Sequence, residues 1–271
     1  ARRLVVSSIS TVGNYEYGSF WYFHQDGSIH FEIKATGILN TAGLAPGEAP
    51  TFGTIVSPGV YAHYHQHVFN MRLDVAVDGE RNRVVEVDTV ALPVGPDNPH
   101  GNAFTIRETV LASEQGAQRN VDFNAARYWK IENAEARNRL GQPTAYKLLP
   151  LNPIPTFSSP QSMVSRRAAF MTRQLWVTAY HPDEIYAAGR YPNQSRGGDG
   201  LPAWTAANRP LVDTDVVVWH SFGLHHIPRP EDFPVQPVIT AGFALHPSGF
   251  FAENPALDVP PAASSMSCCV D

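Results

Sequence analysis

Apolar and polar side chains alternate along much of the first third of the chain, and this period of two residues strongly restricts the possible folds. Residues 29–34 (IHFEIK) alternate cleanly, and the turn residues 25–27 (QDG) separate them from the apolar run 20–23 (FWYF). Such alternation is typical of half-buried strands joined by tight hairpins. We therefore predict an all-β, mainly antiparallel fold: a large β-sandwich with long hairpin arms and few short helices.

Composition excludes several classes of function. The 271 residues carry a net charge of −5, without a basic patch for nucleic acid or an apolar run near the ~20 residues of a membrane span. We expect neither nucleic acid nor a membrane as partner. The two cysteines, Cys268 and Cys269, are adjacent and cannot link distant strands, which favours a reducing, cytoplasmic compartment.

The sequence changes character in two places. Residues 93–122 are polar and predict either a projecting hairpin or a disordered loop. From residue 253 the chain is rich in Pro, Ala and Ser, so we predict one domain over residues 1–252 and a disordered tail over residues 253–271.

Histidines occupy every second position near residue 65. If residues 61–77 form one strand, His63, His65 and His67 share a face that is otherwise apolar. Histidines on an inner face need hydrogen bonds or a metal, and two or three at this spacing favour a metal. Copper, zinc, iron and nickel all suit imidazole, so spacing alone does not choose among them. A cupin would place a glutamate shortly after the pair, and residues 68–72 contain none.

A third ligand must come from elsewhere in the chain. His226 is attractive because Pro228 follows it and fixes a local turn. The residues alone do not separate His226 from His225 or His220.

Three stretches, in this order, resemble one known family: residues 13–18 (GNYEYG), 61–67 (YAHYHQH) and 224–232 (LHHIPRPED). With residues 20–27, 72–74, 191–194 and 219–223, they resemble the catalytic domain of the copper amine oxidases over residues 9–237. Bacterial enzymes that act on aromatic amines or histamine are the nearest type. The resemblance implies that Tyr15 is the tyrosine oxidised to topaquinone.

The resemblance also implies roles for other residues. His65, His67 and His226 correspond to the copper ligands. Gly13 and Asn14 would orient the quinone, and Tyr17 would line its pocket. Asp74 and Asp215, with the backbone carbonyls of Val75 and Val216, match a secondary site for calcium or another hard cation.

The activity that the resemblance implies is oxidation of primary amines. Copper(II) and dioxygen would generate the quinone from Tyr15, and the quinone would take electrons from the amine. The products are an aldehyde, ammonia and hydrogen peroxide, and the enzyme is expected to be a homodimer with residues 93–122 as an embracing arm.

The catalytic base is where the sequence departs from the family pattern. The family uses an aspartate upstream of the quinone, and none precedes Tyr15 here. We therefore expect a complementing N-terminal portion to supply it, with this chain forming the C-terminal part of the catalytic domain. The alternative is a non-catalytic metal-binding β-sandwich fragment or a degenerate relative.

Overall fold

The computed structural model describes residues 2–260, and β-strands dominate them. The strands are β1 (Arg3–Val12), β2 (Tyr15–His24), β3 (Ile29–Ile38), β4 (Thr41–Gly43), β5 (Gly53–Ser57), β6 (Val60–His63), β7 (His65–Asp74), β8 (Arg83–Ala91), β9 (Phe104–Val110), β10 (Tyr128–Arg137), β11 (Pro143–Pro150), β12 (Leu175–Ala179), β13 (Val216–His226) and β14 (Val235–Ser248). The α-helices are α1 (Met163–Arg167) and α2 (Leu201–Trp204), and short 3₁₀ turns lie at Ala169–Thr172, Thr205–Ala207, Pro230–Asp232 and Pro255–Asp258. The predicted all-β class with few short helices is confirmed.

The strands form three sheets whose paired neighbours are antiparallel. The largest has the order β1-β2-β3-β14-β11-β10-β8-β9, a second has the order β12-β13-β7, and a small third has the order β4-β6-β5. Long hairpins form both edges of the large sheet, β1–β2 at one and β8–β9 at the other. Strand β9 lies within the polar segment 93–122 and pairs with β8, so part of this segment forms the edge strand of a hairpin rather than a disordered loop.

The main core lies between the large sheet and the β12-β13-β7 sheet. Phe31 and Phe243 of the large sheet pack against Phe222 of β13, with ring centroids 5.4–6.0 Å apart. A second cluster, which includes Trp219 and Leu201, covers the outer face of β13 with helix α2. Because both faces of β13 are covered, its sequence is a nearly continuous buried run, and each large apolar side chain contributes ~1.5–3 kcal/mol.

The prediction of a single strand through residues 61–77 is wrong. Strand β6 ends at His63 in the small sheet, and β7 begins at His65 in the sheet with β13. The backbone N–H of Tyr64, between them, donates to the carbonyl of Phe52 at 2.9 Å. This bond keeps Tyr64 with the β5 side of the small sheet, so the chain changes sheets at this point.

The predicted tail is described only as far as residue 260. A 3₁₀ turn at Pro255–Asp258, capped by the side chain of Asn254, lies within it. Residues 261–271 lie outside the described part of the chain. Among residues 2–260, the model has no helix that is long and apolar enough to cross a membrane.

Candidate metal centre and its tyrosines

Pairing between β7 and β13 brings three histidines together. His226 lies directly opposite His65, and His67 lies two residues further along the same face of β7. The ring centroid of His65 is 4.8 Å from that of His67 and also 4.8 Å from that of His226. One nitrogen from each of the three rings lies within 4.8 Å of the others, the only such group of metal-binding side chains among residues 2–260.

The same register separates His226 from the other two candidates. His225 is on the opposite face, where its Nδ1 is 2.9 Å from Gln66 Nε2 and its ring stacks on Phe157. His220 is fully buried in the core, where its Nδ1 bonds the carbonyl of Gln174 at 2.9 Å. Of these three candidates, His226 is the one that lies beside His65 and His67.

Two of the three rings have one nitrogen in a hydrogen bond, and the third has one nitrogen close to a carboxylate. Nδ1 of His65 donates to the backbone carbonyl of His63 at 2.9 Å. Nδ1 of His67 is 2.8 Å from the hydroxyl of Tyr17. Nε2 of His226 faces Oδ2 of Asp232 at 3.5 Å. Such partners fix the tautomer and orientation of a ligating imidazole.

The remaining nitrogens fit a metal ion. Nε2 of His65, Nε2 of His67 and both ring nitrogens of His226 are buried without a hydrogen-bond partner. Leaving a buried polar atom unpaired costs ~1–3 kcal/mol, so three converging unpaired nitrogens are unfavourable unless a cation binds them. Imidazole nitrogens suit copper(II) among other borderline metals.

Burial keeps two of these rings, His67 and His226, neutral at pH 7. Burial, followed by the neighbouring His65 and His226, lowers the pKa of His67 to about 4. Burial also lowers the pKa of His226, although Asp232 opposes that shift. Neutral imidazoles present the lone pairs that a metal requires.

Tyr15 lies against this centre. Its ring centroid is 5.2 Å from that of His67, edge-on, and 5.6 Å from that of His65. The backbone N–H of Asn40 donates to its hydroxyl oxygen at 3.2 Å. Burial raises the pKa of the Tyr15 phenol, so the free side chain is protonated at neutral pH.

Gly37, which sequence reasoning missed, lets the backbone around Tyr15 pack closely. It pairs with Tyr15 across β2 and β3, and its φ of +119° is rare for residues with a side chain. A Cβ at Gly37 would lie 2.5 Å from the carbonyl oxygen of Asn14 and 2.8 Å from Cα of Tyr15. A glycine inside a strand pattern is the sequence signal for such an approach.

The residues next to Tyr15 take different positions. Gly13 and Asn14 form the exposed β1–β2 turn, with Gly13 at a φ of +60°. Tyr17 lies on the same strand face as Tyr15 and contacts His67, a ligand-orienting contact that sequence reasoning missed. The carboxylate of Glu16 accepts from the Thr11 hydroxyl on β1 and belongs to the other face.

Asp232 is a further functional candidate that sequence reasoning missed. It is buried, and its carboxylate accepts from the backbone N–H and the guanidinium of Arg229, both at 2.9 Å. This 3₁₀-turn cap holds the carboxylate beside His226. The motif HIPRPED contained the signal, an acidic residue shortly after a histidine and a helix-starting proline.

The residues predicted to hold a second cation lie at the far end of the β7–β13 pair. Val217 pairs with Asp74, and Val75 and Val216 flank this pair in sequence. Burial and the neighbouring charges of Asp74 and Glu80 raise the pKa of Asp215. Arg72 occupies one oxygen of Asp74 at 3.0 Å.

The fold and this site define a β-sandwich metalloprotein with three imidazoles beside a half-buried tyrosine. The family model described as copper amine oxidase, enzyme domain, matches residues 1–266, and the chain belongs to this family. Copper and topaquinone are the cofactors of the family.

Relatives support the assignment over nearly the whole chain. It is 51% identical over 263 residues to histamine oxidase of Arthrobacter globiformis, covering 97% of this chain and 38% of that protein. It is 46% identical over 277 residues to a primary amine oxidase of Arthrobacter sp. strain P1, and the match covers 99% of this chain and 42% of that protein. A crystal structure of a copper-containing benzylamine oxidase from Hansenula polymorpha superimposes with a TM-score of 0.92 at 39% identity, covering 97% and 42%. The chain thus spans about two fifths of the length of these relatives.

Proposed function

We propose that this chain provides the copper and topaquinone centre of an enzyme that oxidises primary amines to aldehyde, ammonia and hydrogen peroxide. His65, His67 and His226 hold copper(II), and Tyr15 is the precursor of the quinone. The observation that carries the proposal is the contact of the Tyr15 ring with two histidines whose free nitrogens are buried and unpaired. Copper held by these histidines would supply, with dioxygen, the oxidation of the Tyr15 ring, and the quinone would supply the electron acceptor.

The protein contributes orientation. The His63 carbonyl and the Tyr17 hydroxyl hold Nδ1 of their histidines, which leaves each Nε2 directed at the metal position. The Asn40 N–H holds the phenol oxygen of Tyr15. A ring held in this way reacts in one geometry, and correct placement supplies a large share of catalysis.

The base that removes the substrate proton is proposed to lie in a portion outside this chain. A base must be within hydrogen-bond reach of that proton. Glu16, the carboxylate next to Tyr15 in sequence, is engaged by Thr11 on the opposite face. The substrate is proposed as a primary amine because the relatives are named for histamine and for primary amines.

Three further assignments accompany this function. We propose a homodimer in which the β8–β9 hairpin is the arm, since Phe104, Ile106 and Val110 on it are 70%, 53% and 41% exposed. We propose that Asp74 and Asp215, with the carbonyls of Val75 and Val216, bind calcium or another hard cation. A cytoplasmic location stays a prediction, and three relatives, two from tobacco and one from Pichia angusta, are named as peroxisomal.

The test is reconstitution of the metal-free chain with copper and air. We expect a visible chromophore and an intense absorbance band after phenylhydrazine is added. Tyr15→Phe should bind the same amount of copper and give no band. A wild-type chain that binds copper yet gives no band would overturn the proposal.

The copper-loaded samples also distinguish an amine-oxidising enzyme from a metal-binding module without catalytic activity. Adding a primary amine without oxygen should bleach the chromophore once the complementing portion is present. A chromophore that every primary amine leaves unchanged would favour the non-catalytic alternative.

A further inference from the structure

A second group of histidines lies at the opposite end of β2 from Tyr15. His24 ends β2, His30 lies on β3, and His246 lies on β14. Tyr15 and His24 are the first and last residues of a ten-residue strand, so the two places are about 30 Å apart. This group is therefore separate from the centre described above.

Strand pairing places these three side chains on one face. His30 pairs with Tyr22 and Ala244, and His24 and His246 each lie two residues further along their strands. The ring centroid of His30 is 4.6 Å from that of His24 and 5.5 Å from that of His246. Each ring is half-buried, and the face is opposite to that of the core residue Phe31.

Two of the nitrogens have the spacing of ligands to one metal. Nε2 of His30 and Nε2 of His246 are 3.3 Å apart. Zinc–imidazole bonds of about 2.0–2.1 Å in a tetrahedron place two nitrogens ~3.3–3.4 Å apart. Nε2 of His24 is buried without a partner, and its ring centroid is 4.6 Å from that of His30. Ligation by His24 requires its ring to turn toward the pair.

A carboxylate lies near this group. Asp26 lies in the turn between His24 and His30, where the Ser28 N–H and hydroxyl engage its Oδ1. Asp26, Ser28 and His246 line one cavity of about 280 Å³. After the Ser28 hydrogen bonds, the nearby His24 and His246 lower the pKa of Asp26, which reports their proximity.

We propose that His24, His30 and His246 form a second metal site for a borderline divalent ion such as zinc, with Asp26 or water as the fourth ligand. Three imidazoles and one oxygen are a donor set that zinc accepts. The bound ion links β2, β3 and β14, which are adjacent in the large sheet. Binding to the folded chain alone stabilises it, so the site acts as a structural clamp.

The test measures total metal in the full chain. Cys268→Ser and Cys269→Ser are introduced first, because thiolates also bind zinc. The protein receives one equivalent of copper and then excess zinc with excess calcium present, and free ions are dialysed away. Elemental analysis should find about two copper and zinc ions together per chain.

Variants identify the ligands. His30→Gln with His246→Gln should retain about one ion per chain, whereas the exposed pair His100→Gln with His181→Gln should retain two. Zinc should raise the melting temperature of the copper-loaded parent and of the exposed-pair variant but not of the ligand variant. Single His246→Gln, checked by circular dichroism, serves if the double variant does not fold.

Two results would overturn the proposal. One is a parent protein that takes up a single ion in total. The other is a folded ligand variant that takes up as much metal as the parent, which would leave the 3.3 Å contact as a hydrogen bond between the two rings. Neither measurement depends on quinone formation.

Discussion

Replacing Gly37 by alanine tests whether close backbone packing positions Tyr15. The substitution adds one methyl group, but Cβ would lie 2.5 Å from the Asn14 carbonyl oxygen and 2.8 Å from Cα of Tyr15. Ordinary contacts begin at 3.4 Å, so the two strands must separate by about 0.9 Å at this point. The backbone atoms of Tyr15 are the ones that move.

Two costs add at this position. Holding alanine at a φ of +119° costs about 1–3 kcal/mol, and forcing an extra methyl into a packed site costs about 1–3 kcal/mol. We expect Gly37→Ala to lower the free energy of unfolding by about 2–6 kcal/mol. Gly47→Ala is the matched control because its φ of +83° is similarly unfavourable but nothing lies within 4 Å of its Cβ.

Urea unfolding measures the loss of stability. Phenylhydrazine absorbance after copper loading measures the rate of quinone formation at Tyr15. Because a displacement of ~1 Å costs on the order of a hundredfold in rate, quinone formation in folded Gly37→Ala should be at least tenfold slower than in Gly47→Ala. The reasoning is refuted if the two variants have equal stability and equal rates of quinone formation.

Three further predictions concern other groups. Tyr17→Phe removes the partner of His67 Nδ1 and should weaken copper binding about 10–100-fold in a chelator competition; unchanged affinity would contradict the orienting role. Asp232→Asn should weaken copper binding to a similar extent through His226, whereas the exposed neighbour change Glu231→Gln should not, and equal effects would count against it. The third prediction is that His220 makes stability depend on pH. Burial lowers the pKa of His220 to about 4, so between pH 6.5 and 4 the unfolded chain binds more protons than the folded chain. Stability should therefore be highest above pH 6.5 and fall by up to about 1.4 kcal/mol per pH unit down to pH 4, and His220→Phe should remove that part of the slope; an unchanged slope would refute it.

The strand pattern was predictable from local sequence because side-chain alternation is a local property. The run now seen as β3 alternates over residues 29–34, and a Gly-containing turn joins it to the apolar run of β2. The break after His63 was not predictable from alternation, since it depends on a hydrogen bond from Tyr64 to Phe52. Phe52 and Tyr64 are twelve positions apart in the sequence. The pattern of residues 61–67 alone does not indicate their hydrogen bond.

The candidate site shows the same division. His65 and His67 follow from spacing on one strand, which is local. The choice of His226 over His225 depends on the register that β13 adopts against β7, and a shift of one residue would exchange their faces. The Tyr17 contact to His67 and the Gly37 contact to Tyr15 join separate strands, so only the folded structure reveals them.

The mass of the peptide that contains Tyr15 tests the central claim most directly. The metal-free chain is incubated with copper and air, digested, and compared with a sample kept with a chelator. The account predicts that the copper sample gains two oxygen atoms and loses two hydrogen atoms at Tyr15, and that His226→Ala abolishes the change. An unmodified Tyr15 peptide from a fully copper-loaded chain would contradict the account.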